Sequence, residues 1–343
     1  MKNRKPSIKD VAIEAGVSGQ TVSNYMNSSA PVHKDTKKRI EKAIKKLHYT
    51  PNIFARGLRV GKTNTIGIVI PEIANPFFSA VIDGIEEEAS KNNYTIILAS
   101  SSYNDIKLEA ELDKFSNYVD GIIICTHMAS DRKIREILKK GVPILAIDIK
   151  IDNKIVPSIG VDNYKAIYDG IEYLINFGHE NIYYFSEPLN MKIILERFKA
   201  YKDCLKDNNI EFDNSKVFTD KRLEIRKTEM GYVIMNEILQ NIKIPAAVFG
   251  ASDLIIIGAM KATLEKGFNI PDDISFMGYD NIYLCDYLNP PLTTIKQPKK
   301  NMGKLAFNLM VDILSGKSIK EKQVILKTDL IVRETVKNFK INA

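Results

Sequence analysis

The chain has 343 residues, 27% charged and 45% hydrophobic, with 18 Gly, 13 Pro and a formal net charge of +7. That composition sits near the average of soluble globular proteins and excludes a collagen-like, coiled-coil or largely disordered chain, while the length suits roughly two to three domains. No apolar run approaches the roughly 18 residues that a spanning helix needs. The basic start MKNRKPSIKD has no apolar stretch behind it, so neither a membrane span nor a secretory signal is expected and the protein reads as cytoplasmic. Cys125, Cys204 and Cys285 fall far apart in apolar surroundings with no CxxC pair, which predicts reduced, buried thiols and no disulfide or zinc framework. Charge becomes informative once it is divided along the chain. Residues 1 to 62 hold 14 Lys and Arg against 4 Asp and Glu, and the remainder holds 35 against 38. A small basic module ahead of a nearly neutral large one is the electrostatic footprint of a nucleic-acid reader attached to something else.

In chain order, Ser7 followed by Asp10 has the pattern of a capping box opening a helix over Ile8 to Ala15, with Ile8, Val11, Ala12 and Ala15 on one apolar face. Gly16 breaks it. Ser18 is the expected N-cap of a second helix that runs to about Asn27 and buries Val22 and Met26. A third helix, Lys34 to Leu47, carries Ile40, Ala43, Ile44 and Leu47 at helical spacing with lysines elsewhere. Three short helices with a tight glycine turn predict a helix-turn-helix domain. The next segment, PNIFARGLR from Pro51 to Arg59, has Pro at a helix start and Ala55 and Leu58 one turn apart, and is too short to form a stable helix alone.

From Thr65 the texture changes to apolar strand-like runs separated by amphipathic helical stretches: TIGIVI at Thr65, TIILA at Thr95, GIIIC at Gly121, ILAI at Ile144, SIGV at Ser158, IYYF at Ile182, AAVFG at Ala246 and ISFMG at Ile274. Fully buried strands alternating with helices predict parallel sheets wound on both faces. About 280 residues is more than one such sheet needs, which predicts two α/β subdomains. The string GLRVGKT from Gly57 has only three residues between its glycines and precedes a strand, so it is not read as a phosphate loop.

SIKDVAIEAGVSGQTVSNYMN, YTPN followed by ARGLR, IGIVIPEIANPFF, GYDN and PPLTTIKQP resemble, in order and spacing, the LacI/GalR family of bacterial transcriptional regulators over residues 6 to 335. Each motif alone is weak; five in order over three hundred residues are strong. The resemblance implies a helix-turn-helix headpiece at 1–50, a hinge helix and linker at 51–62, and a regulatory core at 63–343 similar to periplasmic sugar-binding proteins. In that core the chain crosses between subdomains three times, with the first subdomain at about 63–162 and 293–323 and the second at about 163–292 and 324–343.

In a helix-turn-helix the second helix lies in the major groove, which singles out Gly19, Gln20, Thr21, Ser23 and Asn24. In the resembled family the positions of Gly19, Gln20 and Asn24 read bases, and the last is usually Arg; Asn instead suits the N6/N7 edge of adenine. Asn27, Lys9, His33, Lys34 and Lys37 are candidates for phosphate contact. Ala55 and Leu58 are assigned to the hinge, Leu58 as a wedge in the minor groove. His48 stands where the family often has Gly, which leaves the shape of that helix end open.

Ligands of doubly wound sheets sit beyond the carboxyl ends of strands. Phe77 and Phe78 follow the first strand, Asp162 follows the run at Ser158, Phe249 and Ser252 close another, and Asp280 another; Arg197 in ERFKAY and Gln297 complete the candidate set. Arg197 matches the family's ligand-gripping arginine, whereas Ser252 stands where Asn is frequent, so a sugar or related polar metabolite is implied without a named effector. No catalytic set emerges: His33, His48, His127 and His179 are scattered, and neither GxSxG nor HExxH occurs. No cofactor, metal or membrane partner is expected. The reading is a non-enzymatic, homodimeric repressor that binds a pseudo-palindromic operator under ligand control, with no leucine heptads at the end to tetramerise it. A solute-binding receptor on the same core and an enzyme on a doubly wound fold are the rivals, the first opposed by the basic headpiece and the second by the missing chemistry.

Overall fold

The computed structural model describes residues 6–27, 30–50, 62–126, 130–149, 156–319 and 321–340. The chain divides into two compact units, Met1–Thr63 and Asn64–Ala343. The first holds helices α1 (Ile8–Ala15), α2 (Gly19–Asn27) and α3 (Lys34–Leu47). Ser7 opens α1, its backbone N–H donating to Asp10 Oδ2 at 2.7 Å, and Gly16 closes it in the left-handed region at φ 62. Val11, Ala12, Ala15, Val22, Ile40 and Ala43 form the small core, and the Tyr25 hydroxyl donates to Glu41 Oε1 at 2.8 Å to join α2 to α3. His48 takes the left-handed cap at φ 45, its N–H bonded to the Ile44 and Lys45 carbonyls. The cap shape is therefore kept without glycine, at roughly 1 kcal/mol of backbone strain.

The second unit contains two six-stranded sheets. Strands β1 (Thr65–Ile70), β2 (Thr95–Ser100), β3 (Gly121–Ile124), β4 (Ile144–Ile147), β5 (Ser158–Val161) and β11 (Gln323–Leu326) make one, in the order β11-β5-β4-β3-β1-β2, with every neighbouring pair parallel. The other is ordered β12-β10-β9-β8-β6-β7, from β6 (Ile182–Ser186), β7 (Val217–Thr219), β8 (Ala246–Gly250), β9 (Ile274–Asp280), β10 (Thr293–Lys296) and β12 (Asp329–Ile331), and only β12 runs antiparallel. In β1, Ile66, Ile68 and Ile70 face the helices Pro76–Lys91 and Lys299–Leu314, while Val69 faces the opposite layer with Leu108, Leu112 and Ile134. Helices on both faces are why the strand is apolar throughout and does not alternate with polar residues.

Close helix crossings complete each subdomain. A Cβ on Gly303 would run into the Val81 carbonyl, and one on Gly258 into the Thr228 carbonyl, so each helix pair packs at a distance only glycine allows. Because β10 pairs with β9 and β11 with β5, the chain leaves the second subdomain after Lys296 and returns to it after Leu326. Both crossings fall a few residues beyond the expected 293 and 324, since the last strand before each crossing must finish its ladder first. Cys125, Cys204 and Cys285 are free and buried. No helix among the described residues is long and apolar enough to cross a membrane.

Candidate functional site

In the first unit, Ser18 caps α2, its hydroxyl accepting the Thr21 N–H at 3.1 Å and lying 2.8 Å from Thr21 Oγ1. Thr21 therefore serves the helix start. Gln20 is exposed and Asn24 half-buried, and Gln20 Nε2 donates to Asn24 Oδ1 at 2.9 Å, so the two amides form one polar face with Gly19 beside it. Ser23 is only 6% exposed, because it shares the inner side of α2 with Val22; it is not on the surface where the sequence had placed it. Lys9, His33, Lys34 and Lys37 are all exposed. Ala55, Leu58 and His127 lie outside the described residues, as does the side chain of Asn27.

In the second unit the carboxyl ends of both sheets face a cavity of about 350 Å³ lined by Phe77, Phe78, Arg197, Ser252 and Asp280. Helix N-termini supply much of the wall. Asn75 caps Pro76–Lys91 by accepting the Phe77 N–H at 3.0 Å, and Ser252 precedes the helix Asp253–Glu265. Phe77 and Phe78 meet edge to face, with ring centroids 5.1 Å apart. The loops that present these side chains concentrate left-handed backbone outside glycine: Ser102 (φ 52), Tyr103 (φ 54), Asp148 (φ 52), Asp280 (φ 114) and Asn281 (φ 50). Strain of that kind persists where surrounding structure holds it, and it gathers at binding sites.

Arg197 is the buried centre of the cavity floor. Its Nε donates to Asn163 Oδ1 at 2.8 Å and its Nη1 to the Ala251 carbonyl at 3.1 Å, and the guanidinium stands 4.1 Å over the Tyr279 ring. Nη2 lies 3.9 Å from Asp148 Oδ2. Asp280 is buttressed by Ser252 Oγ (3.3 Å) and Gln297 Nε2 (2.9 Å), each donating to one carboxylate oxygen. Burial, and after it the neighbouring Asp253, pushes the Asp280 carboxyl up, against the opposing pull of Arg197 and Lys299. The folded state therefore holds this proton more tightly than the unfolded chain, and stability falls as pH rises through the folded value. The melting temperature of the wild type is expected to fall relative to that of Asp280→Asn between about pH 4 and pH 7 and to level off above it. Parallel pH profiles in thermal melts would contradict this.

Three sequence candidates stand elsewhere. Asp162 caps the helix Asn163–Asn176, accepting the Lys165 N–H at 2.9 Å, and lines a second, smaller cavity. Phe249 points into the layer beneath the sheet, stacked on Tyr184 at 5.9 Å. Gln297 supports Asp280 without lining the cavity. The sequence reading missed Tyr103, Asp148, Glu187, Glu224 and Lys227, all on the cavity wall. Lys227 and Glu187 form a buried ion pair at 3.1 Å, and the Tyr103 hydroxyl, 3.4 Å from Lys227 Nζ, donates to Glu72 Oε1 at 2.9 Å. No short motif announces that pair, since its members are forty residues apart.

Residues 7–52 match the family described as bacterial regulatory proteins, lacI family, and residues 171–336 match the periplasmic binding protein-like domain. The chain is 32% identical over 333 residues to the HTH-type transcriptional repressor PurR of Histophilus somni (strain 129Pt), spanning 96% of this chain and 99% of the relative. Among solved structures it is similar to the lac repressor dimer bound to operator and the anti-inducer ONPF, with a TM-score of 0.81, 25% identity and coverage of 97% of this chain and 100% of that one. It is also similar to the complex of the transcriptional regulator CelR with cellobiose, with a TM-score of 0.71, 28% identity and coverage of 96% and 99%.

Proposed function

This chain belongs to the LacI family of bacterial transcriptional regulators, and from that premise we propose that it is a cytoplasmic, homodimeric repressor whose operator affinity is set by a small uncharged or weakly charged polar metabolite, a sugar or sugar-like compound, in the cleft. The observation that carries the reading is the cavity itself: a buried guanidinium and a buried carboxylate converge on a space of about 350 Å³ walled by Phe77 and Phe78. Aromatic walls with a few converging polar groups suit a small polar ligand, whose hydroxyls satisfy the buried donors and acceptors. Relatives support the same reading, since CelR was solved with cellobiose. Two headpieces on a pseudo-palindromic operator supply the reason for a dimer. Ligand between the subdomains changes their closure, and through it the spacing of the two headpieces. Operators selected from a randomised pool, then titrated with and without a panel of sugars and nucleosides, test it. Operator affinity that no member of the panel changes counts against ligand control.

Base reading falls to Gln20 and Asn24, with Gly19 admitting close approach and Ala55 and Leu58 acting at the hinge. A side-chain amide pairs best with the N6/N7 edge of adenine, whereas arginine pairs with guanine. Asn24→Arg should therefore move the selected half-site toward guanine at one position, with roughly 1 to 3 kcal/mol of discrimination. An identical consensus from both proteins would show that Asn24 does not read a base.

A further inference from the structure

The two buried cations of the cavity wall already face carboxylates. Arg197 Nη2 lies 3.9 Å from Asp148 Oδ2, and Lys227 Nζ lies 3.1 Å from Glu187 Oε1. Lys227 also donates to the Glu224 carbonyl at 2.9 Å. Glu187 is different. It lines the cavity and is only 6% exposed, yet its Oε2 has no hydrogen-bond partner among the described residues. Burial pushes this carboxyl up, but Lys227, its own backbone N–H and Arg197 together hold it below its ordinary value, so the group is ionised at neutral pH. An ionised carboxylate only accepts hydrogen bonds, and a buried acceptor is satisfied in nearly every native structure. The partner that Oε2 lacks inside the protein is a donor.

The surroundings decide which kind of donor. A ligand ammonium at Oε2 would stand beside Lys227 and within the field of Arg197, both positive. A phosphate or carboxylate there would meet the charge of Glu187 while both nearby cations are engaged. A hydroxyl or a ring N–H incurs neither repulsion. We infer that Glu187 is a specificity-determining residue that takes a hydroxyl or ring N–H of an uncharged ligand on Oε2 and turns away phosphorylated and acidic metabolites. This rests on the cleft being the effector site.

Calorimetry on the full chain tests it with matched pairs: D-ribose and ribose 5-phosphate, D-glucose and glucose 6-phosphate, adenosine and adenosine monophosphate. At least one neutral member should bind, about tenfold or more tighter than its phosphorylated partner. Glu187→Gln keeps the shape, removes the charge and leaves Lys227 without its carboxylate. The ratio should narrow by about tenfold or more, chiefly through a gain for the phosphorylated member. Should that variant fail to fold, Glu187→Gln with Lys227→Met removes both charges and should likewise lose the preference. Tighter or equal binding of a phosphorylated member, binding of no neutral member, or a ratio unchanged in a folded Glu187 variant overturns the inference. Arg197→Lys separates the two levels. If that variant binds the neutral compound as the wild type does, the ligand lies outside the cleft and the effector-site reading fails. If it loses binding while Glu187→Gln keeps the preference, only the role of Glu187 fails.

Discussion

A fragment beginning at Thr63 should not bind DNA at all, and the binding of the full chain should weaken steeply as salt is added. Residues 1–62 carry 14 Lys and Arg against 4 Asp and Glu, whereas the remainder is slightly acidic at 35 against 38, so removing them removes every unit of the positive excess. The loss is not a folding effect, because residues from Asn64 onward form a compact unit of their own with both sheets inside it. Lys9, Lys34 and Lys37 are exposed and able to displace counterions from phosphates. Each phosphate neutralised contributes about 0.9 to the slope of log K against log salt, and six to ten contacts across a dimer lower affinity by about a thousandfold or more between 50 and 200 mM salt. Fluorescence anisotropy on a labelled operator at four salt concentrations measures the slope. DNA binding by the fragment, or a slope near zero for the full chain, would refute the assignment of DNA binding to this module.

What could be read from sequence follows the strength of the local pattern. TIGIVI and AAVFG were legible because strands buried on both faces leave no room for polar residues, and every residue of β1 and β8 is buried. The short strands β7, β11 and β12 were not, since they lie at or near sheet edges and mix half-buried with exposed positions, a texture shared with loops. Within the cleft, Arg197 and Asp280 were found through ERFKAY and GYDN. Phe249 was misplaced for a reason visible in the period of two: Ala247 and Phe249 share one face of β8, toward Tyr184 and Tyr201, while Ala246 and Val248 take the other. Only Ala251 and Ser252, beyond the strand, reach the cavity. Glu187, Lys227 and Tyr103 come from separate loops and helices and meet only in the folded chain, so their pairing is a product of topology with no local trace.

Arg197→Lys should lower affinity for the cleft ligand by about a hundredfold, or about 2.7 kcal/mol, and abolish the ligand's effect on operator binding, while operator affinity without ligand stays near the wild-type value. Arginine presents a planar fork of donors, and this one uses it: Nε holds Asn163 Oδ1, Nη1 holds the Ala251 carbonyl, and the plane lies over Tyr279. Lysine keeps the charge opposite Asp148 and Asp280 but cannot reproduce the fork, so Asn163 and the Tyr279 hydroxyl, which donates to it at 3.0 Å, lose their common anchor. Alanine is the poorer test. It removes the guanidinium that faces the buried Asp280 and the half-buried Asp148, and breaking a buried pair costs about 3 to 5 kcal/mol of stability, enough to confuse loss of ligand with loss of fold. A ligand shifts operator affinity only by its differential affinity for two states, and a tenfold shift needs about 1.4 kcal/mol of coupling. At a ligand concentration just saturating for the wild type, a site about a hundredfold weaker stays almost empty, so no shift in operator affinity is expressed. Operator binding without ligand should survive because its contacts belong to residues 1–62. Calorimetry for the ligand and anisotropy for the operator, run on wild type and variant with melting curves alongside, decide the matter. A Lys variant that binds ligand and responds to it normally would make Arg197 a structural clamp for Asn163 and Tyr279, and would place the ligand outside the cleft.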